Sequence, residues 1–229
     1  LLRELGGVPG LERIRFTTSH PKDVSPDLIR CFGEIGNLCE HIHLPLQSGS
    51  ERMLAAMNRG YRIGPVLEKI RGLRSRCPDI AITTDMIVGF PGETERDFQQ
   101  TLNVIREGRF DNIFSFRFSP RRGTRASKMK DSVPEPVKAQ RLELLQALQL
   151  EIGLQRNRDL EGRRLEVLVE GGSRDGLQSM GRTRTSKIVN FPCSRPMTGR
   201  LVEVKIEKGC PNSLQGTVVP RPETAAIQR

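Results

Sequence analysis

A carboxylate lies within an otherwise apolar run near the middle of the chain, ITTDMIVGFPGET at residues 82–94. Ionised carboxylates are seldom buried unless a partner compensates for the lost hydration. Asp85 is therefore expected to face a polar site, where it can accept hydrogen bonds from hydroxyl groups. The alternative, that Asp85 is only an internal hydrogen-bonding residue, stays open at this point.

Polar residues also follow three other runs that are typical of strands. The run RIRFTT (13–18) ends in two threonines and is followed by SH. The run HIHLPL (41–46) is followed by QSGS, and DNIFSFRFS (111–119) is followed by PRRG. Parallel sheets and β/α barrels bind ligands at the carboxyl ends of their strands. Together with Asp85, these residues predict a binding site at one rim of such a sheet.

Helices are predicted between these strands. Ser25 and Ser50 stand where N-caps are expected, and Thr94 with Asp97 resembles a capping box. The alternation of strands and helices at roughly 30–40 residues predicts parallel strands with right-handed crossovers. Four strands close a barrel poorly, and the chain lacks an initiator Met, so we expect a fragment with further strands upstream of Leu1.

The pattern changes to alternating apolar and polar residues after a long predicted helix that begins near Pro134. Short strands are predicted at 164–171, 187–191, 199–209 and 213–219. Strands of this length and spacing are typical of a small all-β, OB-like barrel. The predicted fold class is therefore an α/β partial (β/α) barrel followed by a small β-barrel.

Positive charge is concentrated in this second part. Between residues 174 and 200 six bases stand against one acid, Asp175; the bases are Arg174, Arg182, Arg184, Lys187, Arg195 and Arg200. The whole chain of 229 residues has a formal net charge of +10. Such a face suits an RNA or single-strand backbone, although an ordinary charged loop face is the alternative. Phe191 is the one aromatic residue in this part, so base stacking is not expected to dominate.

The five cysteines contain no C-x-x-C pair, which disfavours a zinc or redox site of the usual spacing. Because no export signal is visible, we expect reduced thiols and a cytoplasmic location. No apolar run approaches the about 18 residues of a membrane span, so no membrane partner is expected.

Six motifs occur in an order that closely resembles the MiaB-type tRNA methylthiotransferases, a family of radical S-adenosylmethionine (SAM) enzymes. They are RIRFTTSHP (13–21), HLPLQSGS (43–50), DMIVGFPGET (85–94), VEGGSRD (169–175), GRTRTSKIVNF (181–191) and PNSLQGTVV (211–219). The resemblance implies a radical SAM barrel at 1–157, a TRAM RNA-binding β-barrel at 158–221 and a tail at 222–229.

The resemblance also implies a reaction and its cofactors. Family members carry SAM and two 4Fe-4S clusters, and they methylthiolate C2 of N6-isopentenyladenosine next to the anticodon. An electron donor such as flavodoxin or ferredoxin and a monomeric state are expected for the intact enzyme. Its C-x-x-x-C-x-x-C motif is absent here, so the cluster ligands are missing and this chain alone is expected to be inactive.

Site residues follow from matching positions in the family motifs. Those expected to bind the cofactor are Gln47, Ser48, Thr84, Asp85 and Gly89. Those expected to contact RNA are Arg182, Arg184, Lys187 and Asn190. Two alternatives remain: an RNA-binding adaptor without catalysis, and a methylthiotransferase that acts on a ribosomal-protein aspartate or on threonylcarbamoyl-adenosine.

Overall fold

The computed structural model describes residues 1–17, 20–130, 133–172, 178–193 and 197–219. Arg174, Asp175, Arg195 and the expected tail at 222–229 lie outside these ranges. The chain forms two compact units, Leu1–Gly153 and Leu154–Arg229. No helix within the described ranges is long and apolar enough to cross a membrane.

The first unit alternates helices and strands. Its strands are β1 (His41–His43), β2 (Ala81–Val88) and β3 (Asn112–Arg117). Its helices are α1 (Leu2–Gly6), α2 (Pro26–Glu34), α3 (Glu51–Ala56), α4 (Ile63–Arg76) and α5 (Glu95–Gly108), and α6 (Glu135–Arg158) begins in it. Short 3-10 helices span Pro21–Asp23 and Arg125–Lys128.

The three strands form a parallel sheet in the order β1-β2-β3. In its register His43 lies beside Thr83, and Asp85 lies beside Phe114. This sheet with its crossover helices confirms the predicted α/β architecture.

The predicted strand at 13–18 was wrong. Ile14 makes only an isolated parallel bridge, in which its amide donates to Asn37 O at 2.7 Å and its carbonyl accepts from Cys39 N at 2.9 Å. The partner segment is a turn after α2, where Leu38 N donates to Ile35 O at 3.1 Å. Because that segment is not extended, the ladder cannot continue past one bridge.

The two faces of β2 have different surroundings. Ile82, Met86 and Val88 are fully buried in the hydrophobic core, which also contains Phe98 and Ile105 of α5. Each such side chain contributes about 1.5–3 kcal/mol through burial. Residues of odd number on β2 alternate to the other face, and this face carries Asp85.

All three predicted N-caps that lie within the described residues are confirmed. Ser25 Oγ accepts from Leu28 N at 3.1 Å, and Ser50 Oγ accepts from Met53 N at 3.4 Å. The Thr94 and Asp97 side chains form a complete capping box at the start of α5. These caps satisfy amide groups that lack partners within their helices.

The second unit contains a closed five-stranded barrel in the order β4-β5-β6-β8-β7. Its strands are β4 (Arg164–Gly172), β5 (Gln178–Thr183), β6 (Ile188–Pro192), β7 (Leu201–Gly209) and β8 (Leu214–Val218). The barrel core is Val167, Val169, Val189, Phe191, Val204, Ile206 and Leu214. The predicted small β-barrel is thereby confirmed.

Strand β5 was missed because its sequence, QSMGRT, has few residues typical of strands. Its glycine has a packing reason, since a Cβ on Gly181 would lie 2.3 Å from Leu168 O across the β4–β5 pair. A close approach of this kind is not visible in the local sequence pattern.

Candidate functional site

A cavity of about 760 Å³ lies in the first unit, beside the carboxyl-terminal halves of β2 and β3. Its lining combines polar, aromatic and basic side chains, which include Gln47, Asn58, Arg59, Asp85, Phe90, Phe116, Arg117, Phe118, Arg121, Thr124 and Arg125. The cavity therefore has the mixed lining expected of a site for a polar organic ligand.

Gln47 enters this cavity from a strained backbone conformation. Its φ is +73°, in the left-handed region that non-glycine residues seldom adopt. Two backbone hydrogen bonds to β2 hold it there: Gln47 N donates to Asp85 O at 2.8 Å, and Ile87 N donates to Gln47 O at 2.9 Å. Strain of this kind persists where surrounding contacts enforce it, often at functional sites.

Asp85 lies at the centre of the polar face of β2, with 27% of its side chain exposed. Gln47 Nε2 donates to one carboxylate oxygen at 3.4 Å, and His43 Nε2 lies 3.4 Å from the other. An ionised carboxylate can accept about four hydrogen bonds, so Asp85 keeps acceptor capacity for a ligand. The run ITTDMIVGF thus carries a carboxylate because every second residue leaves the core.

A row of hydrogen bonds extends from Asp85 to two histidines that sequence reasoning missed. Thr83 Oγ1 lies 2.9 Å from His43 Nδ1 and 3.3 Å from His41 Nε2. Each hydrogen bond of the row has a donor and an acceptor when Thr83 donates to His43 Nδ1 and His43 Nε2–H donates to Asp85. The usable signal was the spacing of HIH beside TTD, because a period of two places these side chains on one face.

Ser48 and Thr84 are fully buried and make hydrogen bonds within the protein. Thr84 Oγ1 accepts from Leu46 N at 3.1 Å and donates to Asp85 O at 3.3 Å. Ser48 Oγ accepts from Ser50 N at 3.1 Å and lies 3.4 Å from Thr101 Oγ1. Of the residues expected to bind the cofactor, the cavity lining brings together Gln47 and Asp85.

Gly89 lies in the turn after β2 with φ +72°. A Cβ there would lie 2.3 Å from Lys138 Cγ of α6. Both the conformation and the close approach therefore require glycine.

A buried ion pair holds the same turn against α6. Glu93 Oε2 accepts from Gly89 N and from Arg141 Nη1, each at 2.7 Å. Burial raises the pKa of the Glu93 carboxyl, whereas the Gly89 and Arg141 contacts oppose that increase. This turn carries Phe90, which lines the cavity. Glu93 and Arg141 thus support one wall of the site.

The expected RNA contacts in the second unit are all partly exposed. Arg182 Nε pairs with Glu170 Oε2 at 3.1 Å, and Lys187 Nζ donates to Asn157 Oδ1 at 2.9 Å. Arg184 also has a partner within the protein. Asn190 lies on β6 beside Met180 of β5. Glu170 lies just before the basic stretch at 174–200, and its carboxylate reaches Arg182 across the β4–β5 hairpin.

The cysteines do not gather into one site. Cys31 and Cys39 are buried, and Cys77, Cys193 and Cys210 are partly exposed. Within the described ranges, no group of three or more His, Cys, Asp or Glu side chains could hold a metal ion. The residues present therefore do not fit an iron–sulfur cluster, which needs several thiolate ligands.

Two family models match the chain. The radical SAM superfamily model matches residues 1–105, and the TRAM domain model matches residues 158–219. The first range covers β1, β2 and the Gln47–Asp85 pair, and the second covers the closed barrel.

Curated relatives match along almost the whole chain. A tRNA-2-methylthio-N(6)-dimethylallyladenosine synthase of Syntrophus aciditrophicus (strain SB) is 50% identical over 220 residues, 96% of this chain and 48% of that protein. A protein of the same name from Geobacter metallireducens is 52% identical over 216 residues, 94% of this chain and 49% of that protein. The chain thus spans about half the length of the curated relatives it matches.

A solved structure of coproporphyrinogen III oxidase from Escherichia coli, a radical SAM enzyme, aligns with a TM-score of 0.47 at 15% identity. The alignment covers 88% of this chain and 50% of that one. Similarity at this level supports no functional assignment.

Proposed function

We propose that this chain, which has a radical SAM region followed by a TRAM domain, is part of an enzyme that methylthiolates C2 of N6-isopentenyladenosine next to the anticodon in tRNA. The observation that carries the proposal is about 50% identity, along 96% of the chain, to a protein named for that reaction.

The cavity fits SAM in its chemistry. Asp85 and Gln47 offer acceptors and a donor for hydroxyl groups, and the partly exposed Ile87 and Phe118 offer apolar surface for a purine. When bound next to a reduced cluster, SAM supplies the 5′-deoxyadenosyl radical of this family. In our proposal Gln47 and Asp85 orient the cofactor, while Ser48, Thr84 and Gly89 shape the segments that carry them.

The cluster ligands do not come from the residues described here, so no step is assigned to this chain's cysteines. In the proposal the intact enzyme also needs an electron donor such as flavodoxin or ferredoxin. It acts in the cytoplasm as a monomer, and tRNA is its partner.

The direct test uses the intact protein encoded by the gene region that contains this sequence. After anaerobic reconstitution with iron and sulfide, and with SAM and reduced flavodoxin supplied, it should convert N6-isopentenyladenosine in tRNA to its 2-methylthio derivative, as measured by mass spectrometry of digested nucleosides. The same reaction with SAM omitted is the control.

Three outcomes would contradict the proposal. Methylthiolation of a ribosomal-protein aspartate, or of threonylcarbamoyl-adenosine, would move the protein to another branch. Binding of tRNA without any methylthio product, in a preparation with full cluster content, would favour the RNA-binding adaptor.

A further inference from the structure

A basic loop, defined here as residues 119–130, borders the cavity of the first unit. It contains five bases, Arg121, Arg122, Arg125, Lys128 and Lys130, and no acid. All five are exposed, and Arg121 and Arg125 line the cavity. This charge lies in the first unit, outside the TRAM domain to which RNA binding was assigned.

Several other exposed arginines of the first unit have acidic partners. Arg3 pairs with Glu34, Arg30 with Asp27, and Arg71 with Glu68 and Glu107. No described carboxylate pairs with Arg121, Arg122 or Arg125. Asp131, the next acid in the sequence, lies outside the described ranges. Exposed positive charge of this density attracts a polyanion.

An exposed aromatic side chain lies beside this charge. Phe116 lines the cavity and is 55% exposed, although most large apolar side chains of the first unit are buried. Sites for single-stranded nucleic acids combine a basic groove for the backbone with aromatic side chains on which bases stack. The cavity has both features within one set of lining residues.

Among its described residues, the TRAM domain lacks an exposed aromatic side chain on which a base could stack. Phe191, its one aromatic residue, is 1% exposed and belongs to the barrel core. A base therefore has no aromatic surface to stack on among the described residues of that unit. The stacking surface available for an unpaired base is on the first unit.

We propose that the basic loop and Phe116 form a second RNA-binding surface, which holds the phosphates of a single-stranded loop while one of its bases enters the cavity. The inference deepens the proposed function and rests on it. Asp85 favours this arrangement, because a carboxylate in the cavity repels phosphate but accepts hydrogen bonds from a ligand. The phosphates are thereby kept at the rim, beside Arg121 and Arg125.

The test measures binding of the full chain to an RNA hairpin with a single-stranded loop, across a salt series. The variant replaces Arg121, Arg122 and Arg125 by Gln. Loss of two to three phosphate contacts should reduce the magnitude of the log–log salt slope by about 1.4–2.1, at about 0.7 per contact on a single strand. The control replaces Arg3, Arg30 and Arg71 by Gln, which removes the same charge from arginines that have acidic partners.

A second variant tests the stacking surface. Phe116→Ala should weaken binding of the hairpin about tenfold or more and leave binding of a fully paired RNA duplex unchanged. Phe114→Ala is its matched control, because Phe114 lies on the same face of β3, is 49% exposed and does not line the cavity. Melting temperatures verify that each variant is folded.

The outcomes separate this inference from the proposed function. Equal salt slopes for the two arginine variants would overturn it, even if the intact enzyme methylthiolates tRNA. Weakened SAM binding with an unchanged RNA slope would also overturn it, because the arginines would then serve the SAM carboxylate. If the two arginine variants show the predicted salt slopes of RNA binding but the intact enzyme modifies another substrate, the RNA-binding surface is supported and the proposed reaction is contradicted.

Discussion

Asp85 and Thr84 are neighbours in sequence, but their side chains lie on opposite faces of β2. Asp85 lines the cavity and retains acceptor capacity, whereas Thr84 is fully buried and accepts from Leu46 N. Substitutions at these positions should therefore affect different properties, because one group is available to a ligand and the other satisfies the backbone.

Under the proposed function, Asp85→Asn in the intact enzyme should reduce methylthiolation strongly and leave the melting temperature almost unchanged. Asparagine keeps the shape, but it removes the charge and one acceptor from the cavity. His43→Gln should give a smaller loss of the same kind, since His43 contacts Asp85 without lining the cavity. Product formation per folded molecule and thermal unfolding are the measurements.

Thr84→Val provides the opposite case. It leaves the buried Leu46 amide without its acceptor, which should lower the free energy of unfolding by about 1–3 kcal/mol. Activity per folded molecule should be retained. If the variant instead loses SAM affinity at unchanged stability, Thr84 contacts the cofactor directly.

At the scale of elements, the start of α5 is organised around one buried carboxylate. Asp97 accepts from Thr94 N at 2.8 Å and from Ser50 Oγ at 2.6 Å, and it pairs with Arg52. Burial alone would raise the pKa of Asp97, but the hydrogen bonds from Arg52, Ser50 and Thr94 outweigh it and lower that pKa well below its usual range. The carboxylate thus ties α3 to α5 as well as capping a helix.

The sign of the resulting pH dependence follows from this lowered pKa. The stabilisation is fully present above the pKa of unfolded Asp, about 3.9, and it is lost as the pH falls towards the lower folded value. Asp97→Asn should lower the free energy of unfolding by at least about 2 kcal/mol at neutral pH, because hydrogen bonds to a charged group are lost. Its acid-side pH dependence should also be flatter than that of the wild type.

Asp27→Asn is the matched control, since Asp27 lies in the first turn of α2 and its side chain is 79% exposed. A surface pair of this kind contributes about 1 kcal/mol or less. Equal effects of the two substitutions in urea unfolding across pH would contradict the role assigned to Asp97.

At the scale of the whole molecule, the net charge of +10 is divided between two units that carry different functional groups. The first unit has the cavity, the exposed Phe116 and the basic loop, while the second has a closed barrel with partly paired bases. Phosphate contacts position an RNA without reading its sequence. Under the proposed function, we therefore expect the TRAM domain to contribute affinity for tRNA and the first unit to contribute selectivity.

Replacement of Arg182, Arg184 and Lys187 together by Gln should reduce the magnitude of the salt slope of tRNA binding by about two to three units, at about 0.7–0.9 per lost contact. Different tRNAs should be weakened to a similar extent. Filter binding across a salt series measures this, and Arg164→Gln, which removes a base of the same unit outside this set, is the control. If plots of log affinity against log salt concentration have the same slope for the wild type and the triple variant, these three residues do not contact phosphates.

The sequence by itself determined the features that depend on local chemistry. Ser25, Ser50 and Thr94 cap helices because a side-chain oxygen within three residues suffices to satisfy a free amide. Strand β2 and most strands of the second unit could be predicted because the period of the apolar residues indicates which face is buried. The family motifs could be recognised because each consists of contiguous residues and the motifs occur in order.

Only the tertiary structure decided which of these polar residues can meet a ligand. The left-handed conformation of Gln47 depends on hydrogen bonds to β2, about 40 residues away in sequence, and the row from His41 to Asp85 depends on the register of two strands. Pairing of Arg182 with Glu170 and the glycine in β5 likewise arise from contacts across strands. Such contacts join residues distant in sequence, so no local pattern specifies them.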